Sequence, residues 1–242
     1  MIKKLRENKA AFASLIFLSL WVFLALAAPF LPLNPPERVH EGQHMVPPMW
    51  GEGGTSQFVL GTDDLGRDLF SRLIFGARIS LGFGFLCVFV AVLIGGTLGV
   101  TAGFFGGFWD RTVLRLVDVL MALPSLLLAI VVVAVLGPSL WNALWAVTLV
   151  ALPGFIRISR AAVLAEREKE YVQASRAFGA GRLRQMVVVI LPNCLAPMIV
   201  QASLGFSDGI LNMAALGFLG LGAQPPTPEW GVMLSDAKAY LE

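Results

Sequence analysis

Charge is what this chain has least of. Only 14% of its 242 residues are Asp, Glu, Lys or Arg, against 57% hydrophobic, and the mean hydropathy is +0.76. Soluble domains carry about a quarter charged residues, so a water-soluble globule is excluded. Cysteine and histidine are nearly missing, at two each. Cys87 and Cys194 fall inside or at the end of different apolar runs. Small packing residues are expected there, rather than a disulfide or a metal pair. The phosphate-cradling pattern Gly-x4-Gly-Lys-Ser/Thr is absent. Uphill work by this chain therefore needs an energy source supplied from elsewhere.

What the chain has instead is five apolar runs long enough to cross a bilayer, at roughly 10–31, 81–104, 113–136, 139–158 and 195–221. Lys and Arg set their orientation. Thirteen fall before the first run, between the second and third, and between the fourth and fifth; five fall on the other side. The rich side is cytoplasmic, which puts the N-terminus inside. Ala25-Leu26-Ala27 after a basic start resembles a signal-peptide cleavage site, but the apolar run from Ala10 to Leu31 is longer than a signal core. An uncleaved anchor is expected.

Between the first two runs lies a turn-rich outer segment, Pro32–Ser56, followed by Gln57–Ser80. The second half of Gln57–Ser80 is amphipathic, with Leu69, Leu73 and Ile74 apolar and Arg67, Arg72 and Arg78 polar. The pattern predicts a helix lying along the outer surface. Gly95, Gly99 and Gly103 recur at every fourth residue and predict a face for close helix approach. Trp141 and Trp145 fall near the outer end of the fourth run, as interfacial anchors do.

His40-Glu41-Gly42-Gln43-His44 is a literal His-Glu-x-x-His, the zinc-protease pattern. That chemistry needs a stable helix to aim both imidazoles at one metal. Here a glycine sits in the middle, prolines flank the segment, and no third histidine exists. A loop without a metal site is expected, and a membrane metalloprotease using His40, Glu41 and His44 is a remote alternative. Polar groups inside the runs are costly and usually face a path or a bundle interior. Asp118 lies one turn from Arg115, so an ion pair between them is expected. Ser203, Ser207, Asp208 and Asn212 fall in the fifth run. Ser207, Asp208 and Asn212 are candidates to line a translocation path or to bond a neighbouring helix. A proton-driven carrier using Asp118 and Asp208 is a weaker alternative.

The most informative stretch is Glu170–Asn193, EYVQASRAFGAGRLRQMVVVILPN. Tyr171, Ala174, Ser175 and Phe178 recur at three- and four-residue spacing and make a small-plus-aromatic helix face. Gln173 and Arg176 lie off that face. Gly179-Ala180-Gly181 breaks the helix and Leu191-Pro192 closes the segment. A short helix with a knob-like face, held at a membrane surface, suits docking into a groove on a soluble partner.

This segment resembles the cytoplasmic loop of binding-protein-dependent ABC transporter permeases. The pattern of that loop is Glu-Ala-Ala, three residues, Gly, nine residues, Ile, one residue, Leu-Pro. Here Gln173-Ala174-Ser175, Gly179, Val189 and Leu191-Pro192 stand at the same spacing, with Gln for Glu, Ser for the second Ala and Val for Ile. Gly61-Thr62-Asp63-Asp64-Leu65-Gly66-Arg67-Asp68 resembles the start of the core in the dipeptide, oligopeptide and nickel branch. Stretches 191–197, 214–222 and 225–231 resemble the second permease subunit of bacterial dipeptide importers, a likeness running from about residue 57 to 242.

The resemblance implies an all-α membrane protein with the type I ABC importer permease fold. Five transmembrane helices lie in this chain, and a sixth is expected beyond Glu242. Three regions are expected: 1–31, tail and first span; 32–80, periplasmic loop and surface helix; and 81–242, the permease core with its coupling loop at 159–193. The implied function is import of dipeptides or short peptides delivered by a periplasmic binding protein. Oligopeptides, nickel or another small solute are the alternative cargo. The receptor is expected at an outer face formed by Gln57–Ser80 and Pro225–Gly231. The implied partners are an unlike second permease, two ATP-binding subunits that hold ATP and Mg, the receptor and the bilayer, with no nucleic acid. No catalytic residue and no cofactor are expected on this chain, and the implied location is a bacterial inner membrane.

Overall fold

The computed structural model describes residues 8–240. Among these the chain is helical, and its only β pairing is an isolated bridge between Thr62 and Asp68. The helices are α1 (Lys9–Ala27), α2 (Leu69–Phe105), α3 (Gly107–Met121), α4 (Ser125–Leu136), α5 (Leu140–Glu166), α6 (Glu170–Ala177), α7 (Arg182–Phe218) and α8 (Trp230–Ala237). Four stretches are long and apolar enough to cross a membrane: Lys9–Phe30, α2, α5 and α7. The pair α3 and α4 makes a fifth only as a span bent by 89°. The chain divides into two compact units, one of residues up to Gly82 together with those from Gly217 onward, the other Phe83–Leu216.

Three expectations about the elements are corrected. The run 113–136 is not one straight helix. Pro124 has no N–H to continue the ladder and pushes Leu123 out of the helical region, so the chain turns there. The surface helix expected over the second half of 57–80 is helical but does not form a separate element. Residues 57–68 are turns, with Gly61 and Gly66 at φ +83 and +78. A Cβ on Gly61 would lie 2.2 Å from the Val46 carbonyl oxygen, so only glycine fits. The helix starts at Leu69, where the Asp68 carboxylate accepts from the N–H groups of Phe70 (3.0 Å) and Ser71 (3.4 Å), and its residues are the first of α2. Lastly, Leu191-Pro192 does not close the loop. α7 begins at Arg182 and passes through Pro192, and a wider π turn at Gln185–Ile190 ends two residues before the residue that cannot donate.

In the unit Phe83–Leu216 the glycine stripe does what its spacing predicts. Cβ atoms on Gly95, Gly99 and Gly103 would meet Phe155 Cβ at 2.8 Å, the Ile156 oxygen at 2.4 Å and the Arg160 oxygen at 2.9 Å. Three turns of α2 thus rest directly on the α5 backbone. Val88, Ala91, Val113, Val117, Leu152, Phe155 and Ile156 fill the core beside them. Arg167 donates to the Gly103 carbonyl at 3.0 Å, a cation at the C-terminal end of α2. Cys87 and Cys194 are both buried and unbridged. Asp118 pairs with Arg157 of α5 at 3.3 Å rather than with Arg115. α3 packs its Val113 and Val117 face on α5, which brings the α5 arginines within reach. Arg160 makes a two-pronged bond to Asp110 on the same seam.

In the other unit Arg67 and Arg72, expected on a polar surface, are buried. Arg67 pairs with Asp63 at 2.6 Å and Asp236 at 3.5 Å, and Arg72 with Asp63 at 3.6 Å. Arg72 also donates to the carbonyls of Pro36 (3.3 Å) and Pro226 (3.2 Å). Buried Glu229 caps α8 by accepting from the Val232 N–H at 3.1 Å, and accepts from Ser80 at 3.1 Å. Residues 40–44 form turns with Gly42 at φ +76, not a helix. His40 and His44 each turn Nδ1 to a backbone carbonyl, of Gly66 (3.1 Å) and Asp64 (3.0 Å). The zinc-protease geometry is therefore not built.

Candidate functional site

α6 is a two-turn helix held from beneath by one side chain. Val172 is 0% exposed and packs with Val100, Val163, Ile190, Cys194 and Met198. Val189 and Leu191 are half-buried against the same cluster, so these two pattern residues are anchors under the loop rather than part of its face. The outward side carries Gln173, Ala174 and Phe178, with Ser175 half-buried and Pro192 exposed further along. Phe178 is 92% exposed. Burying a phenylalanine is worth about 1.5–3 kcal/mol, and within this chain Phe178 gains almost none of it.

The tip is shaped by its cap. The Ala180 N–H bonds the Ser175 carbonyl at 3.1 Å and the Gly179 N–H bonds the Arg176 carbonyl at 2.9 Å. This is the Schellman arrangement, with Gly179 at φ +78 in the left-handed position. A Cβ on Gly179 would meet nothing within 4 Å. The backbone conformation, not space, demands glycine there.

Two polar clasps fix the ends. The Tyr171 hydroxyl donates to Glu166 at the end of α5 (2.5 Å) and accepts from Asn193 of α7 (3.2 Å). Glu166 also takes Lys169 at 2.6 Å. Desolvation of the phenol, and then the Glu166 carboxylate beside it, push Tyr171 up to about 12. It therefore stays a protonated donor throughout neutral and mildly alkaline pH. Gln185, buried, donates to the Ala180 carbonyl at 2.7 Å and accepts from Arg176 at 3.1 Å. Sequence reasoning missed both Val172 and Gln185. Val172, the only β-branched residue in α6, was a signal for the first; nothing local signalled the second.

A second feature of this unit is a groove of about 370 Å³ along α7. Ser125 of α4, Gly154 and Phe155 of α5, and Gln201, Asp208 and Asn212 of α7 contribute to its walls. Asp208 and Asn212, predicted together from their spacing, do share it. Asn212 donates to the Asp208 carbonyl at 2.8 Å, which ties the amide to its own helix. Asp208 is exposed and has no ion-pair partner among the described residues. Ser207 is exposed but outside the lining, and Ser203 bonds back to the Ile199 carbonyl at 3.1 Å. Among the described residues no cluster of three or more His, Cys, Asp or Glu is placed to hold a metal.

Residues 95–241 match the family described as binding-protein-dependent transport system inner membrane component. Residues 1–48 match the N-terminal TM domain of oligopeptide transport permease C. The chain is 54% identical to the dipeptide transport system permease protein DppC of Escherichia coli (strain K12), over 98% of this chain and 79% of that one. It is 53% identical to the di/tripeptide transport system permease protein DppC of Pseudomonas aeruginosa (strain UCBPP-PA14), over 98% and 78%. Among solved structures, an inward-facing form of the MetNI methionine ABC transporter superposes with TM-score 0.59 at 23% identity, covering 70% of this chain and 81% of that one. At that identity the likeness concerns the fold.

Proposed function

The chain belongs to the family of binding-protein-dependent transport system inner membrane components, and from that premise we propose that it is the permease subunit of an ABC importer for dipeptides and short peptides. The relatives named for dipeptide and di/tripeptide transport support the cargo. The observation that carries the mechanism is α6: anchored through Val172, capped by Gly179, and presenting a bare Phe178.

In the proposed cycle a periplasmic receptor delivers peptide to the outer face, and this chain and an unlike second permease enclose the path. Two ATP-binding subunits hold ATP and Mg on the cytoplasmic side; this chain does no catalysis and carries no cofactor. When they close, they push on α6. The push passes through Val172 into the Val163–Ile190–Met198 cluster, which joins the end of α5 to the start of α7. The two long helices then rock together. The groove at Asp208 and Asn212, with Ser207 nearby, supplies a few polar contacts for the passing peptide. Weak contacts suit a path, because tight binding would trap the cargo. Family membership supports a bacterial inner membrane location, and the charge asymmetry supports an orientation with the N-terminus and α6 cytoplasmic.

The test is Gly179→Trp, measured as peptide uptake by cells that insert the variant normally. A side chain strained at φ +78 disrupts the helix cap, so uptake is expected to be lost. Parental uptake by a well-inserted variant sinks the coupling role of α6.

A further inference from the structure

The α7 wall of the groove is one helical stripe. Gln201, Gly205, Asp208, Gly209 and Asn212 recur at helical spacing and all line it. Glycines shape the cavity. A Cβ on Gly154 of α5 would lie 3.1 Å from the Gln201 Nε2, so glycine there makes room for the amide. A Cβ on Gly205 would lie 3.1 Å from the Phe155 ring, so ring and helix meet closely beneath the stripe. The groove, at about 370 Å³, falls within the range of small-molecule sites.

Asp208 is the middle residue of the apolar run 195–221. A carboxylate at that depth is expensive unless it faces a path or a partner charge. Its own chain supplies no such charge: no Lys or Arg lines the groove, and Asp208 has no ion pair among the described residues. Asn212 spends an amide N–H on the Asp208 carbonyl, which leaves its side-chain oxygen as an acceptor beside the carboxylate. This end of the groove therefore offers negative charge and acceptors, the complement of a protonated amine.

The spread of the polar groups argues for an extended ligand. Gln201, which can donate, stands two turns back along α7, about 10 Å by helix rise. Two extended residues cover about 7 Å. A dipeptide with its ammonium at Asp208 thus brings its carboxylate within reach of the Gln201 amide. A bare metal ion needs oxygens converging on one point, and no group of three or more His, Cys, Asp or Glu is so placed among the described residues.

We propose that Asp208 reads the free ammonium of the peptide in mid-path, with the Asn212 oxygen beside it and the Gln201 amide toward the carboxylate end. The proposal rests on the peptide-permease reading and deepens it. The two fail separately. A parent complex that takes up no dipeptide sinks the permease reading, whereas normal uptake without amine preference in the groove sinks only this assignment.

The experiment uses the intact importer complex in nanodiscs, with no receptor added, so that receptor selectivity does not enter. Saturation-transfer NMR compares the affinities for millimolar alanyl-alanine and N-acetyl-alanyl-alanine. The parent is expected to bind the free-amine peptide about tenfold more tightly, the scale of one hydrogen bond to a charged group. Asp208→Asn is expected to bind both peptides as the parent binds the acetylated one. Ser203→Ala, on the same helix but outside the lining, is expected to keep the parental preference. No binding or no preference in the parent overturns the proposal, as does a preference that survives in Asp208→Asn. Loss of the second permease from the Asp208→Asn complex means that the carboxylate pairs with that subunit, which also overturns it.

Discussion

The two arginine-rich regions of this molecule use the same side chain in opposite ways. Arg67 and Arg72 are folded into the protein, between the carboxylates of Asp63 and Asp236 and the carbonyls of Pro36 and Pro226. Arg176, Arg182 and Arg184 surround the α6 turn with no carboxylate within ion-pair distance among the described residues. The first set is compensated internally and makes architecture, tying residues 36 and 63 to residues 226 and 236. The second has no such internal compensation among the described residues. The contrast extends to the apolar residues: Phe58 is 0% exposed in the first region, whereas Phe178 is 92% exposed in the second. Stability and function should therefore separate along the chain.

Removing a built-in charge should have the largest effect. Arg72→Met leaves Asp63 without one of its partners in a buried setting, at a cost of about 3–5 kcal/mol. The expected outcome is a protein that inserts poorly or denatures at markedly lower detergent or temperature, read by fluorescence-detected size exclusion. A variant as stable as the parent would erase the distinction between the regions. Val172→Ala comes next. It removes the only buried anchor of α6 and should cost about 1–2 kcal/mol by lost burial. Because that anchor is also the proposed transmission point, uptake should fall together with protection of α6 from hydrogen exchange. Phe178→Ala sharpens the contrast most. An exposed side chain changes stability by no more than about 0.5 kcal/mol, yet loss of an interface anchor worth about 2 kcal/mol weakens docking roughly 30-fold. The thermal midpoint should hold while uptake drops. Arg184→Gln should be the mildest, within about 0.5 kcal/mol in stability. A large loss there would show that the second set is also structural.

How much of this was legible beforehand depended on the range of the interaction. The Gly95–Gly99–Gly103 stripe and the Gly179 turn are encoded at spacings of three or four residues, and each was predictable from a single window. The pairing of Asp208 with Asn212 on one face was legible for the same reason. The α6 face was legible only in part: Ala174 and Phe178 are outward as expected, but Gln173 joins them, Ser175 is half-buried and Tyr171 is clasped to Glu166 and Asn193. Arg67 and Arg72 read as surface residues because Asp236 and Pro226 stand more than 150 positions away. The break at Pro124 was hidden because hydropathy alone scores the run as one span. Pro192 read as a stop signal because a sequence pattern does not reveal that the preceding turn widens to let the helix continue. The ion pair of Asp118 went to Arg157 on a packed neighbour rather than to Arg115 on its own helix, for want of any local sign of how α3 and α5 pack.

The central claim is that the outward side of α6, and not its buried side, receives the movement of the ATP-binding subunits. The direct measurement places a photo-crosslinking phenylalanine analogue at position 178 and, separately, at position 172 in the assembled importer, and identifies what each captures. The account predicts an adduct with an ATP-binding subunit from position 178, and only internal adducts to this chain from position 172. Capture of an ATP-binding subunit from position 172, or its absence from position 178 in an active complex, would contradict it.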